Sequence, residues 1–165
     1  MARKLFQLCY ISSARYSMGI AELDMLLTKA RRNNRDLDIT GMLLYADGSF
    51  LQILEGDEYR VRALYEHICR DSRHSQIFVL HEAEVSKRQF PDWSMGFRLL
   101  DLEELSHQAG FADLLQPNST LAEKMSARPS LAYRMLLSFS NCSSVVPDVN
   151  ALRATNDCTE QAQHH

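Results

Sequence analysis

The sequence predicts an α+β protein of the ferredoxin-like, split βαβ kind, with a mixed sheet of about five strands, two helices on one face, and a C-terminal helical extension. Three observations predict it. Strand-length apolar runs alternate with helix-period stretches in the order β-α-β-β-α-β, and the middle two runs are joined by Asp47-Gly48, a dipeptide suited to a tight hairpin turn. The 165 residues are 45% apolar with only 6 Gly and 4 Pro, enough for one core and too little linker material for two independent domains.

Each element follows from local pattern. Leu5 to Ile11 reads as a strand with Phe6, Leu8 and Tyr10 on one face and Gln7, Cys9 and Ile11 on the other. Ser17 is placed to cap the first helix, where Ile20, Leu23, Leu26, Leu27 and Ala30 recur until Asn33-Asn34 ends it. Ile39 to Ala46 and Ser49 to Glu55 form the hairpin, because Asp47-Gly48 supplies the positive φ its turn needs. From Asp57 the spacing of Val61, Leu64, Tyr65 and Ile68 predicts the second helix, with an acidic first turn. A fourth strand runs from about Gln76 to Glu84, and Phe90-Pro91-Asp92-Trp93 leads into a fifth, Met95 to Leu100.

In this topology the first and third strands lie side by side, so Tyr10 and Gln52 sit on neighbouring central strands. Phe50 and Leu54 face one side of the hairpin strand and Leu51 and Ile53 the other, so the second face needs a cover as well. Residues 101–141 offer one in Leu102, Leu105, Leu114, Leu115, Leu131, Met135, Leu136 and Phe139, read as two or three helices that cap the sheet or bind a partner. Residues 142–165 turn polar and read as a flexible tail.

Several function classes fall away on composition. The 18 basic and 21 acidic residues give a net charge of −3 with no basic stripe, which leaves no footprint for direct nucleic-acid binding. No apolar window reaches the length of a membrane span, and Met1-Ala2-Arg3-Lys4 lacks the features of a secretory signal, so a cytoplasmic location without membrane contact is expected. The four cysteines, Cys9, Cys69, Cys142 and Cys158, show no paired short spacing, and His67, His74 and His81 lack zinc-site geometry. No metal is expected.

The candidate chemistry begins with Gln52, flanked by Phe50 and Leu54, whose amide points into an apolar layer and needs partners. The Tyr10 phenol seeks one too. A Tyr–Gln pair is either a satisfied core pair or a relay passing hydrogen bonds to a ligand with acceptors on its edge. Asn33-Asn34 reads equally as a helix C-terminal cap or as two carboxamides reading the edge of a heterocycle. Leu26 and Ile68, one on each helix, are core residues or the two sides of a sandwich around a flat ring. Asp71, Arg73 and His74 after the second helix form a salt-bridged loop or a phosphate contact.

Residues 5 to about 100 resemble the BLUF domain, the blue-light sensor using FAD. The resemblance rests on Leu8-Cys9-Tyr10, Asn33-Asn34, Ile39-Thr40-Gly41-Met42-Leu43, Phe50-Leu51-Gln52-Ile53-Leu54-Glu55-Gly56, Asp71-Ser72-Arg73-His74 and Trp93-Ser94-Met95, in the family's order. It implies a photosensory domain over residues 1–100 with FAD, or another flavin, between the two helices and flanked by Leu26 and Ile68. Tyr10 and Gln52 match the photoactive pair, Asn34 the residue bonding the flavin carbonyl edge, and Asn33, Asp71 and His74 positions associated with flavin contact. His67 stands where some members place an Arg.

The resemblance further implies that excited flavin takes an electron and a proton from Tyr10, that the Gln52 amide rearranges, and that the dark state returns slowly. Such a change must bias a two-state element to become a signal. Trp93 and Met95 are the candidates, exchanging places near Gln52 and moving the strand that bears the C-terminal helices. Those helices, through Met125, Met135, Leu136 and Phe139, are expected to alter self-association into a homo-oligomer or docking to an unknown downstream regulatory protein. On this reading the chain is a photosensory signalling protein and not an enzyme. Two rivals remain: an acylphosphatase-like hydrolase on the same split βαβ topology with an Arg such as Arg15 and an Asn on phosphate, which lacks a Gly-rich phosphate loop, and a purely structural oligomerisation module.

Overall fold

Strand β1 (Leu5–Ala14) leads through helix α1 (Ile20–Asp36) to the hairpin of β2 (Thr40–Ala46) and β3 (Ser49–Asp57). Helix α2 (Glu58–Cys69), β4 (His74–Val85) and β5 (Gly96–Leu100) follow. The computed structural model describes residues 4–46, 48–91, 94–100 and 133–134, with backbone alone for 98–100. Asp47, Trp93, and the helices and tail expected beyond residue 100 lie outside the described residues, apart from Tyr133 and Arg134, which are helical.

The five strands form one sheet in the order β4-β1-β3-β2-β5. All neighbours are antiparallel except β2 and β5, which run parallel, so the sheet is mixed. This is the ferredoxin-like α+β arrangement that the element order predicts. With β1 and β3 interior and both faces covered, their sequences read as nearly continuous apolar runs.

One face packs against the helices. Phe6, Leu8 and Tyr10 of β1, Leu43 and Tyr45 of β2, and Phe50 and Leu54 of β3 join Leu23 and Leu27 of α1 and Val61 of α2 in a single cluster. Burying each such side chain stabilises the fold by about 1.5–3 kcal/mol. On the other face Cys9, Ile11, Met42, Leu44, Leu51 and Ile53 are buried as well.

Local details depart from the sequence reading where a tertiary partner intervenes. Helix α1 starts behind Gly19, which has no side chain to cap it, and Ser17 does not cap it either. Nor does Asn33-Asn34 end it, because the helix runs on to Asp36 and the left-handed conformation falls on Asp38. The reason is that the buried Asn34 side chain has a distant partner and is not spent on a local cap. By contrast, Asp57 caps α2 by accepting from the Arg60 amide at 3.2 Å. Strand β1 continues three residues past Ile11, pairing with β3 at one edge and β4 at the other. Gly48 carries the positive φ of the hairpin turn, and at Gly41 a side chain would strike the backbone of Ile53 on the adjacent strand.

Candidate functional site

The two helices and the sheet face they cover enclose a cleft of about 690 Å³, a volume that includes the open solvent at its mouth. Its floor is Tyr10, Leu43, Phe50 and Gln52 from the three interior strands. Leu26, Lys29, Ala30, Asn33 and Asn34 line it from α1, at spacings that place them on one helix face, and Leu64, His67 and Ile68 from α2. Asp71, Arg73 and His74 close it from the α2–β4 turn and the first residue of β4.

Tyr10 and Gln52 meet because antiparallel register sets them directly opposite on β1 and β3. The Tyr10 hydroxyl donates to Gln52 Oε1. Gln52 Nε2 contacts Met95 Sδ at 3.5 Å, a weak acceptor for an amide donor in an almost fully buried side chain. Burial, reinforced by the neighbouring Cys69, Tyr65, Cys9 and Asp71, holds the Tyr10 phenol protonated far above the ordinary tyrosine range. The Tyr65 ring packs against Tyr10 at 5.4 Å between centroids.

The polar rim is held by its own bonds. Asn34 Nδ2 donates to the Ser94 carbonyl at 2.7 Å, and Arg31 Nε to the Met95 carbonyl at 2.9 Å, so α1 grips the start of β5. Asp71 receives the Arg73 guanidinium at 2.5 and 3.1 Å on one oxygen and 3.0 Å on the other, and this pairing pulls its carboxyl down to about 2. His74, whose Nδ1 lies 3.0 Å from Ser12 Oγ, is pushed toward its neutral form by burial.

The cleft thus brings together Tyr10, Gln52, Leu26, Ile68, Asn33, Asn34, Asp71 and His74. Met95 lies behind Gln52, and Trp93 is outside the described residues. Arg15, the phosphate-binding candidate of the hydrolase reading, does not line the cleft; its Nε donates to the His74 carbonyl at 3.2 Å. Sequence reasoning passed over Lys29, Ala30 and Leu64 as site residues, although their i, i+3 and i+4 spacing to Leu26, Asn33 and Ile68 was the available signal. Among the described residues, no group of three or more His, Cys, Asp or Glu side chains is arranged to hold a metal ion, and no helix is long and apolar enough to cross a membrane.

A family model described as BLUF, sensors of blue-light using FAD, matches residues 5–96. The chain belongs to the BLUF family. Relatives carrying the same domain include the photoactivated adenylate cyclase subunit beta of Euglena longa, 33% identical over 87% of this chain and 17% of its own length. The blue light- and temperature-regulated antirepressor BluF of Escherichia coli is 35% identical over 59% of this chain and 24% of its own. This BLUF chain therefore spans less than a quarter of these curated relatives. Among solved structures, the BlsA ground state superposes with a TM-score of 0.66 at 27% identity, covering 88% of this chain and 93% of that one. The dark state of BlrB, a BLUF protein, gives 0.59 at 29%, covering 81% and 99%.

BLUF domains bind flavin, and the cleft fits such a group on its own chemistry. A planar tricycle with an apolar end and a polar, carbonyl-bearing edge matches aliphatic walls at Leu26, Ala30, Leu64 and Ile68 beside carboxamides at Asn33, Asn34 and Gln52. Gln52 Nε2 spends one proton on the weak Met95 sulfur acceptor and has donor capacity to spare for an edge of that kind.

Proposed function

We propose that Tyr10 and Gln52 are the photoactive pair of this blue-light sensor, with Leu26 and Ile68 flanking the flavin and Asn33, Asn34, Asp71 and His74 holding its polar parts. The observation that carries the reading is the Tyr10 hydroxyl donating to the Gln52 amide at the floor of the cleft. When bound, the flavin supplies blue absorption and an excited state that accepts an electron. Tyr10 is the donor. Its phenol, protonated at all ordinary pH in the dark, becomes acidic on losing an electron and passes its proton to the Gln52 oxygen it already touches.

When electron and proton return, the Gln52 amide can stay turned end for end, because its oxygen accepts where its nitrogen donates. A turned amide presents Oε1 to Met95 Sδ, setting two acceptors face to face and disfavouring the contact seen here. Met95 immediately precedes β5, so its displacement moves the strand leading to residues 101–141. We assign those residues, with 142–165 as a tail, to output by self-association or by docking to a regulatory protein, in keeping with a relative that is an antirepressor. Cyclase activity belongs to relatives of which this chain spans 17%.

The test is the absorption spectrum of the purified full chain before and after blue illumination. A reversible red shift of a flavin band is expected. A colourless protein, or a yellow one whose spectrum light leaves unchanged, overturns the reading.

A further inference from the structure

The sheet face turned away from the cleft holds a second tyrosine–glutamine pair. The Tyr133 hydroxyl donates to Gln7 Oε1 at 2.5 Å, and its ring stacks on His81 at 4.3 Å between centroids, with planes 29° apart. Gln7 is fully buried, and among the described residues its Nε2 is the one buried side-chain polar atom without a hydrogen-bond partner. An idle buried donor is unusual enough to need a reason.

Opposite Gln7 across the β1–β3 pair stands Glu55, also fully buried. Its carboxylate accepts the Gln89 amide at 3.0 and 2.7 Å and the Phe90 amide at 2.9 Å. Beside it Arg88 donates to Thr40 Oγ1 at 2.9 Å and to the backbone carbonyls of Glu55 and Asp38 at 3.0 and 2.8 Å. The loop joining β4 to β5 is thereby tied to the ends of the central strands. A carboxylate offers about four lone-pair sites, so Glu55 has room for one more donor. Burial pushes its carboxyl up, while the Gln89 and Phe90 amides, Arg88 and, least, the Gln7 amide pull it down; yet Gln7 Nε2 misses hydrogen-bond geometry.

We propose that Gln7 is a positioning residue coupling Tyr133 to Glu55, so that the C-terminal segment and the β4–β5 loop read a single movement of β1 against β3. Gln7 has two arrangements available: Nε2 idle as observed, or Nε2 closed on Glu55. Both sides of the sheet share the same strands, since Tyr10 and Gln52 are each three residues from Gln7 and Glu55 and point to the opposite face. A strand shift that rearranges the first pair therefore reaches the second. The coupling rests on Tyr10 and Gln52 being the photoactive pair, and it supplies a two-state element that both sites can bias.

The test uses the flavin-loaded full chain, Tyr133→Phe and Gln7→Met, with hydrogen–deuterium exchange by mass spectrometry in dark and light beside the absorption spectrum. Both variants should keep the dark spectrum and the light-induced red shift while the light-minus-dark exchange difference over residues 101–141 falls roughly fivefold or more. Gln7→Met should also leave dark exchange over residues 86–91 as in wild type and remove its light-induced change, since the Nε2 it deletes is idle in the arrangement observed. A wild-type-sized difference in Tyr133→Phe, or a wild-type segment whose exchange ignores light, overturns the coupling, and Tyr133→Phe decides alone if Gln7→Met does not fold. Wild type without a red shift sinks the photosensor reading and the coupling together, whereas an intact red shift with unaltered exchange in the variants sinks the coupling only.

Discussion

Tyr10 and Gln52 are direct cross-strand partners in the β1–β3 pair, and the hydroxyl of one donates to the amide oxygen of the other. Their meeting is locked by register. Nine residue pairs define the β1–β3 alignment, from Leu5 with Asp57 to Ser13 with Ser49, and a one-residue slip would carry Gln52 to the far face with every apolar neighbour misplaced. The pair is thus held by the burial of the whole strand and not by its own hydrogen bond.

Tyr10→Phe should fold, keep flavin and lose the light-induced red shift, since phenylalanine offers neither an easily oxidised phenol nor its proton. Leaving Gln52 Oε1 without its donor costs about 1–3 kcal/mol, visible as a lowered urea midpoint. Light–dark difference spectra of the variant check the first part. An undiminished shift would remove Tyr10 from its proposed role.

Met95→Leu removes the sulfur that faces Gln52 Nε2 at 3.5 Å but keeps the volume of a buried side chain. It should cost less than about 1.5 kcal/mol while changing the rate of dark recovery severalfold. Met95→Ala, which leaves a cavity, should cost about 2–5 kcal/mol. Recovery followed at the red edge of the flavin band separates the packing effect from the effect on the amide; identical kinetics in wild type and Met95→Leu would exclude Met95 from the relay.

Asp71 contributes an acid-dependent stability of known sign. Its folded pKa of about 2 lies below the ordinary 3.8, so the Arg73 pairing stabilises fully above pH 3.8 and is lost as the pH falls toward 2. The pair is partly exposed and so contributes under about 1 kcal/mol. Asp71→Asn should flatten the fall in urea midpoint across that window and leave the midpoint near neutrality only slightly lower. An equally steep fall in the variant would place the acid sensitivity elsewhere.

Gly41→Ala should fail to give a native protein, because the added methyl falls on the Ile53 carbonyl of β3 and can be relieved only by parting the two strands. The cost is about 3 kcal/mol or more. Soluble yield and the melting curve report it. A variant that melts like wild type would show that the β2–β3 contact is looser than its geometry.

Faces and order were written locally. Alternation in Leu5 to Ile11 and around Phe50 to Leu54 put Tyr10 and Gln52 on the same side of adjacent strands, and the period of Leu26 and Ile68 aimed both helices at that side. Partners remote in sequence were not. Asn33-Asn34 has the local signature of a helix end, yet α1 continues because Asn34 reaches the carbonyl of Ser94, 60 residues on. Gln7 looked like an ordinary strand residue until folding laid Glu55 opposite it and Tyr133 against it. A residue's periodicity is set by its nearest neighbours and survives in the bare chain, whereas the mate of a buried polar atom exists only once the sheet has closed and water is gone.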